Sequence, residues 1–251
     1  MANWSDPRPD AGVTSYGAAT DTRSVAYDAG LRSYMLSVYN YMASAVLLTG
    51  VVAMAVFQSG AYQSLINAQG RGLSGLGWVV MLAPLGIVFA MSFGQNRMST
   101  GTLQALFWAY AGLLGASLST LFLAYSNASI AGAFFATAAG FAGLSLYGYT
   151  TERNLTALGS FMIVGLVGII VASLVNLWLG SGTVALVVSV LGVLIFAGLT
   201  AYDTQRTKSM YQYVAGTDQE GRAKVMSALN LYLDFINMFL FILRIFGSSR
   251  N

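Results

Sequence analysis

Two aspartates carry the chemistry this sequence can do. Asp203 stands in "GLTAYDTQRTK", and Asp234 stands in "LNLYLDFINMFLFILRIFG". The second stretch is otherwise apolar, and a bare carboxylate inside it is expensive unless it meets a partner. A second acid is such a partner. Two carboxylates a few ångströms apart resist double ionisation, so they titrate as one coupled unit. Ionised, the pair offers oxygens suited to a hard cation such as Ca2+. Sharing a proton, it becomes a hydrogen-bonded plug. That pattern is the chemistry of a protonation-sensitive gate for cations.

The residues around each acid extend the pattern. Ser227, Asn230, Asp234, Asn237 and Arg244 follow helical spacing and form one polar seam on an apolar helix. Thr200, Asp203 and Thr207 do the same on the preceding one. A polar stripe on a membrane helix faces protein or water rather than lipid, which puts the last helix at the centre of the bundle. Asp234 lies eight residues past Met226, about 12 Å along the helix at 1.5 Å per residue. If the last two spans form an antiparallel hairpin, the two acids come level when the turn is centred between Asp218 and Gln219. The breaker cluster "AGTDQEG", Ala215 to Gly221, brackets that point. The alternative for Asp203 is solvation at a helix end with Arg206 or Arg97 as counter-ion. For Asp234 it is a packing hydrogen bond to Asn or Ser. Arg97 falls on the same side of the membrane as Asp203 and is a candidate latch, a removable counter-ion to the pair.

The elements that must position these residues follow from composition. Of 251 residues, 56% are hydrophobic and 8% charged, with mean hydropathy +0.65. Soluble domains carry about 25% charged residues, so the chain is an all-α integral membrane protein. About 20 apolar residues span a bilayer core. That ruler predicts seven spans, near Tyr34–Phe57, Leu76–Phe93, Leu103–Ala124, Ile130–Tyr147, Leu158–Leu179, Val184–Tyr202 and Met226–Phe246. Pro84 predicts a kink in the second. Gly132, Ala136 and Gly140, and likewise Gly112, Ala116 and Thr120, recur every fourth residue, which predicts close helix contacts along those faces. Trp78, Tyr125, Tyr147, Tyr149 and Trp178 sit near span ends as interfacial anchors.

The chain divides into a flexible cytoplasmic tail, residues 1–30, and a seven-helix domain, residues 31–251. The tail lacks an apolar run after a basic start, so it reads as no cleavable signal peptide. Arg8, Arg23, Arg32, Arg97, Arg153, Arg206, Lys208, Arg222 and Lys224 fall on one side, and Arg71 and Arg250 on the other, with Arg244 near the end of the last helix. The positive-inside rule then places the N-terminus in the cytoplasm and the C-terminus outside. Cysteine and histidine are both absent from the sequence. Disulfides, thiolate metal sites and the usual general base are excluded. A net charge of +3 does not point to nucleic acid, and the expected partners are the lipid bilayer, calcium and protons.

"SLYGYTT", "ASLVNLWL", "GLTAYDTQ" and above all "LNLYLDFINMFLFILRIFG" resemble the bacterial branch of the Bax inhibitor-1 family, also called the transmembrane Bax inhibitor motif family. The likeness runs from about Leu31 to the C-terminus. It implies a bundle whose seventh helix is wrapped by the other six, in a bacterial inner membrane. It also implies a pH-sensitive calcium leak gated by a di-aspartyl pair, with Asp203 and Asp234 in that role and transient Ca2+ between them. Some members carry a basic latch after the second helix, for which Arg97 in "GQNRMS" is the nearest residue. Some carry an acid inside the second helix; "WVVMLAPLGIVFAMSFG" has none.

Two other classes remain open. An intramembrane aspartyl protease also uses two acids that share a proton, but the second acid there lies in Gly-x-Gly-Asp and this chain reads "LYLD". The expectation is therefore no enzyme and no cofactor. The remaining alternative is an interaction protein that regulates other membrane proteins or proteases, its acids structural.

Overall fold

A computed structural model describes residues 16–67 and 72–248 of the chain, with side chains from residue 27 onward. Residues 1–15 of the expected tail, and Arg71 and Arg250, lie outside the described residues. The polar breaks in the sequence become helix caps. Ser74, Ser99, Ser126 and Ser181 each stand in extended backbone and accept a hydrogen bond from the N–H three residues on. Such caps satisfy orphan donors at a helix start. They open α2 (Gly75–Gly94), α3 (Thr100–Leu118), α5 (Asn127–Thr150) and α7 (Gly182–Val214). The remaining helices are α1 (Tyr16–Gln58), the short α4 (Leu121–Ala124), α6 (Thr156–Leu179) and α8 (Glu220–Phe246). Gly180, at φ 60°, ends α6 in the left-handed conformation, where glycine has no Cβ to clash.

Among the described residues there is no strand; Ile66 and Leu73 form an isolated antiparallel bridge. Among the described residues, seven helices are long and apolar enough to cross a membrane. All seven expected spans are present. The third continues through a turn at Ser119 and Thr120 into α4, and the sixth runs twelve residues past its expected end at Tyr202, to Val214. α2 continues through Pro84, which is buried.

The last helix is the central one. α8 packs against α1, α3, α5 and α7, while α2 packs on α3 and α6 on α7. Within its most apolar window 56% of α8 is buried, against 11–39% for the other spans. Tyr34 of α1, Leu103 and Phe107 of α3, and Leu229, Leu231 and Tyr232 of α8 are fully buried together.

Polar side chains fix how these helices face one another. Thr49 Oγ1 lies 2.6 Å from the Tyr232 hydroxyl and 3.0 Å from the Ala111 carbonyl, tying α1 to α8 and α3. Thr49 has one hydroxyl proton, which it directs to a carbonyl, so Tyr232 donates to Thr49. Replacing Tyr232 with Phe removes that bond at constant volume. It is expected to destabilise the bundle by about 1 kcal/mol, read as earlier unfolding in a denaturant titration of the purified protein.

The small-residue contacts fall one position away from the faces the spacing picked. A Cβ added at Gly112, Gly132 or Gly140 would meet nothing within 4 Å. Gly132, Ala136 and Gly140 are exposed. The buried face of α5 is instead Ala133, Thr137, Phe141, Ser145 and Gly148. On α3 it includes Ala111 and Gly115, with Ser119 continuing that face at the helix end. One residue is a rotation of about 100° around a helix with 3.6 residues per turn, so the shift moves the contact to another face. At Gly115 a Cβ would come within 2.6 Å of the Thr49 carbonyl oxygen, and at Gly148 it would collide with the Ala201 carbonyl of α7.

Candidate functional site

The α7–α8 hairpin turns through residues 215–219, where the breaker cluster placed it, with Gly216 at φ 69°. The extension of α7 beyond the acid is held from outside. Gln205 accepts from the Leu155 N–H (2.9 Å) and donates to the Arg153 carbonyl (2.8 Å), clamping the α5–α6 loop. Lys208 donates to the Tyr149 carbonyl at 2.8 Å, and its ammonium lies 4.8 Å from the Tyr149 ring centroid. With these anchors α7 has a fixed rotation and depth, and Asp203 faces α8.

There it meets Asp234. The two carboxyls lie side by side, each within the other's electrostatic reach. Two carboxyls this close resist double ionisation. Asp234 is 4% exposed, and its Oδ2 is buried without a partner.

Two cavities meet at Asp203, and one of them also reaches Asp234. One, of about 600 Å3, runs between α6, α7 and α8 and contains Asp203, Asp234, Asn230, Asn237 and Arg206 among mostly apolar walls. The other, of about 340 Å3, is polar and opens among the ends of α2, α7 and α8. Its walls include Gln95, Asn96, Thr207, Arg222, Ser227 and Asn230, with Asp203 and Arg206 again. Asp203, Arg206 and Asn230 therefore belong to both.

The expected polar seam is thus divided. Asn230, Asp234 and Asn237 face the first cavity, and Ser227, Asn230 and Thr207 the second. Asn237 also donates to the Leu233 carbonyl at 2.8 Å. Thr200 is fully buried and donates to the Phe196 carbonyl at 2.7 Å, facing neither cavity. Arg244 is exposed and lies over the Phe241 ring at 5.7 Å.

Arg97 is exposed and lines neither cavity, although its neighbours Gln95 and Asn96 do. The cation whose charge acts on Asp203 is Arg206, three residues further along α7. Arg222 reaches the same vestibule and donates to the Asn96 carbonyl at 3.3 Å. Sequence spacing held the signal for Arg206, because positions three apart share a helix face. For Arg222, Gln205 and Lys208 the contacts join distant segments, and no spacing reveals them.

Seven membrane-spanning helices among the described residues, the last of them central, with one acid on α7 facing one on α8, define a polytopic membrane protein with an ionisable site in its core. Residues 31–251 match the family described as "Inhibitor of apoptosis-promoting Bax1". The chain belongs to this family, the Bax inhibitor-1 family. It is 48% identical over 233 residues to an uncharacterised protein of Rickettsia prowazekii, covering 92% of this chain and 96% of that one. It is 43% identical over 224 residues to "Inner membrane protein YbhL" of Escherichia coli, covering 88% and 94%. A similar relative occurs in Caulobacter vibrioides, 43% identical over 236 residues, covering 92% and 94%.

Proposed function

We propose that this protein is a pH-sensitive leak pathway for cations, calcium in particular, gated by the Asp203–Asp234 pair. The observation that supports the reading is that the polar vestibule ends on Asp203, whose carboxyl lies beside that of the buried Asp234. A cation entering the vestibule reaches Asp203 first. While one proton is shared, the pair is a hydrogen-bonded plug with a net charge of −1. When it leaves, two like charges face each other and need a counter-charge. A divalent ion supplies it.

The donor set suits passage rather than storage. Calcium takes 6–8 oxygen ligands, and among the described residues no group of three or more acids, histidines or cysteines comes together. Two carboxylates and the side-chain oxygens of Asn230 and Asn237 leave the remaining positions to water. Arg206 competes for the same carboxylates and lowers the ion's residence.

The protein sits in a bacterial inner membrane, as the name of the Escherichia coli relative has it for that protein. The N-terminus and the vestibule face the cytoplasm and the C-terminus lies outside. The mouth then carries Arg206, Arg222 and the neighbouring Arg97, as the positive-inside rule favours.

The direct test is calcium entry into liposomes holding the purified protein, across pH 5 to 8, beside empty liposomes. Flux above the empty control that changes with pH supports the leak. Flux equal to the control at every pH removes it and leaves the interaction-protein reading. Within this assay the two arginines separate. Arg206→Gln withdraws the positive charge beside Asp203 and is expected to shift the pH profile, whereas Arg97→Gln leaves it within error of wild type. A shift in the Arg97 variant alone would restore Arg97 as the latch.

A further inference from the structure

The larger cavity has two unlike ends. At one end lie Asp203, Asp234, Asn230 and Asn237. From there the cavity follows α6 from Ile163 to Leu177, fourteen residues and about 21 Å at 1.5 Å per residue. Apart from Ser173, whose hydroxyl donates to the Ile169 carbonyl, that length is walled by hydrocarbon, with Phe196 and Phe241 on the inner side. On the outer side Ile163, Ile170, Leu174 and Leu177 are 49–78% exposed. In a membrane-spanning helix those side chains face lipid, so the cavity opens sideways into the bilayer. The polar vestibule described above is a separate entrance, walled by residues from the ends of α2, α7 and α8.

The polar end asks for a donor. Asp234 is 4% exposed, and its Oδ2 is a buried acceptor with no hydrogen-bond partner. An unsatisfied buried acceptor is costly. A primary ammonium has three N–H donors and a positive charge, which suits a cavity end holding two carboxyls. A hydrocarbon tail on the same molecule would occupy the apolar length along α6. We infer that this cavity binds a single-chain lipophilic amine taken from the bilayer, its ammonium at Asp203 and Asp234 and its tail against Leu174 and Leu177. Arg206, the other charged group facing this end, disfavours any cation that cannot approach both carboxylates closely. The inference shares the acid pair with the proposed gate but does not depend on conduction, because binding is read without flux.

Equilibrium binding of radiolabelled dodecylamine to the full chain in lipid nanodiscs tests it, with empty nanodiscs subtracted and dodecanol as the neutral probe of equal tail. The expected result is saturable binding of the amine at one site and none of dodecanol. Asp234→Asn should weaken amine binding about tenfold to hundredfold, as loss of a charge-assisted hydrogen bond gives. Leu174→Trp, at a lipid-exposed position that folding tolerates, should fill the tail region and weaken binding by a similar factor while leaving the thermal transition in place. Absence of saturable amine binding would overturn the proposal. So would equal binding of dodecanol, or an unchanged affinity in Asp234→Asn, either of which would make the cavity a seat for lipid acyl chains.

Discussion

Asp234→Asn is expected to give a folded protein whose calcium flux no longer changes with pH. The substitution keeps the shape of a side chain that is 4% exposed, so no cavity opens in the core. Its amide nitrogen donates permanently to Asp203, the role that the shared proton fills in the wild type. The variant is thereby held in the proton-sharing arrangement at every pH. Its flux should equal the value that wild type reaches at the acidic limit, whichever state conducts, and stay there from pH 5 to 8. Removal of one buried acceptor for a donor already facing a partner should change stability by no more than about 1–2 kcal/mol. A variant that folds and keeps the wild-type pH profile would show that Asp234 is not the sensor.

The largest effect on folding is expected at Gly148. A Cβ there would come within 2.9 Å of the Ala201 carbonyl carbon and 3.0 Å of its Cα, and would overlap the carbonyl oxygen. All three atoms are backbone, so no rotamer change relieves the contact, and α5 and α7 must separate. Overpacking of this kind costs about 1–3 kcal/mol. The damage also reaches the site, because Ala201 is two residues from Asp203 and Thr204 Oγ1 lies 3.4 Å from Ser145 Oγ on α5. Gly148→Ala should therefore lower the thermal transition and disturb the pH response together. Gly140→Ala, on the exposed face of the same helix where nothing lies within 4 Å, should stay within about 0.5 kcal/mol of wild type. Equal transitions for the two variants would contradict the packing described.

These two sites also mark what could be read from the chain alone. The spans and the central helix were legible because each depends on a long average: apolar length for the spans, one polar seam for α8. The meeting of Asp203 and Asp234 was legible because the turn cluster lies midway between them, and extending both helices beyond the membrane moves neither acid relative to that midpoint. The helix contacts were not. α5 has small residues on several faces, and the true contact stripe carries Phe141 among Ala133, Thr137, Ser145 and Gly148, which hides it behind the cleaner glycine spacing of the exposed face. The same limit applies to Arg97. Loop charge gives the side of the membrane but not the direction around the bundle, and the structure turns Arg206 and Arg222 into the vestibule instead.

The central claim is that Asp203 and Asp234 act as one unit in sensing pH, and a double-substitution cycle in calcium-loaded liposomes tests it most directly. Wild type, Asp203→Asn, Asp234→Asn and the double variant would be compared across pH 5 to 8 at equal protein content. A shared proton needs both oxygens, so each single variant should lose the whole pH response and the double variant should lose no more. If Asp203→Asn kept the wild-type response, or the losses simply added, the two acids would titrate independently and the paired gate would be refuted.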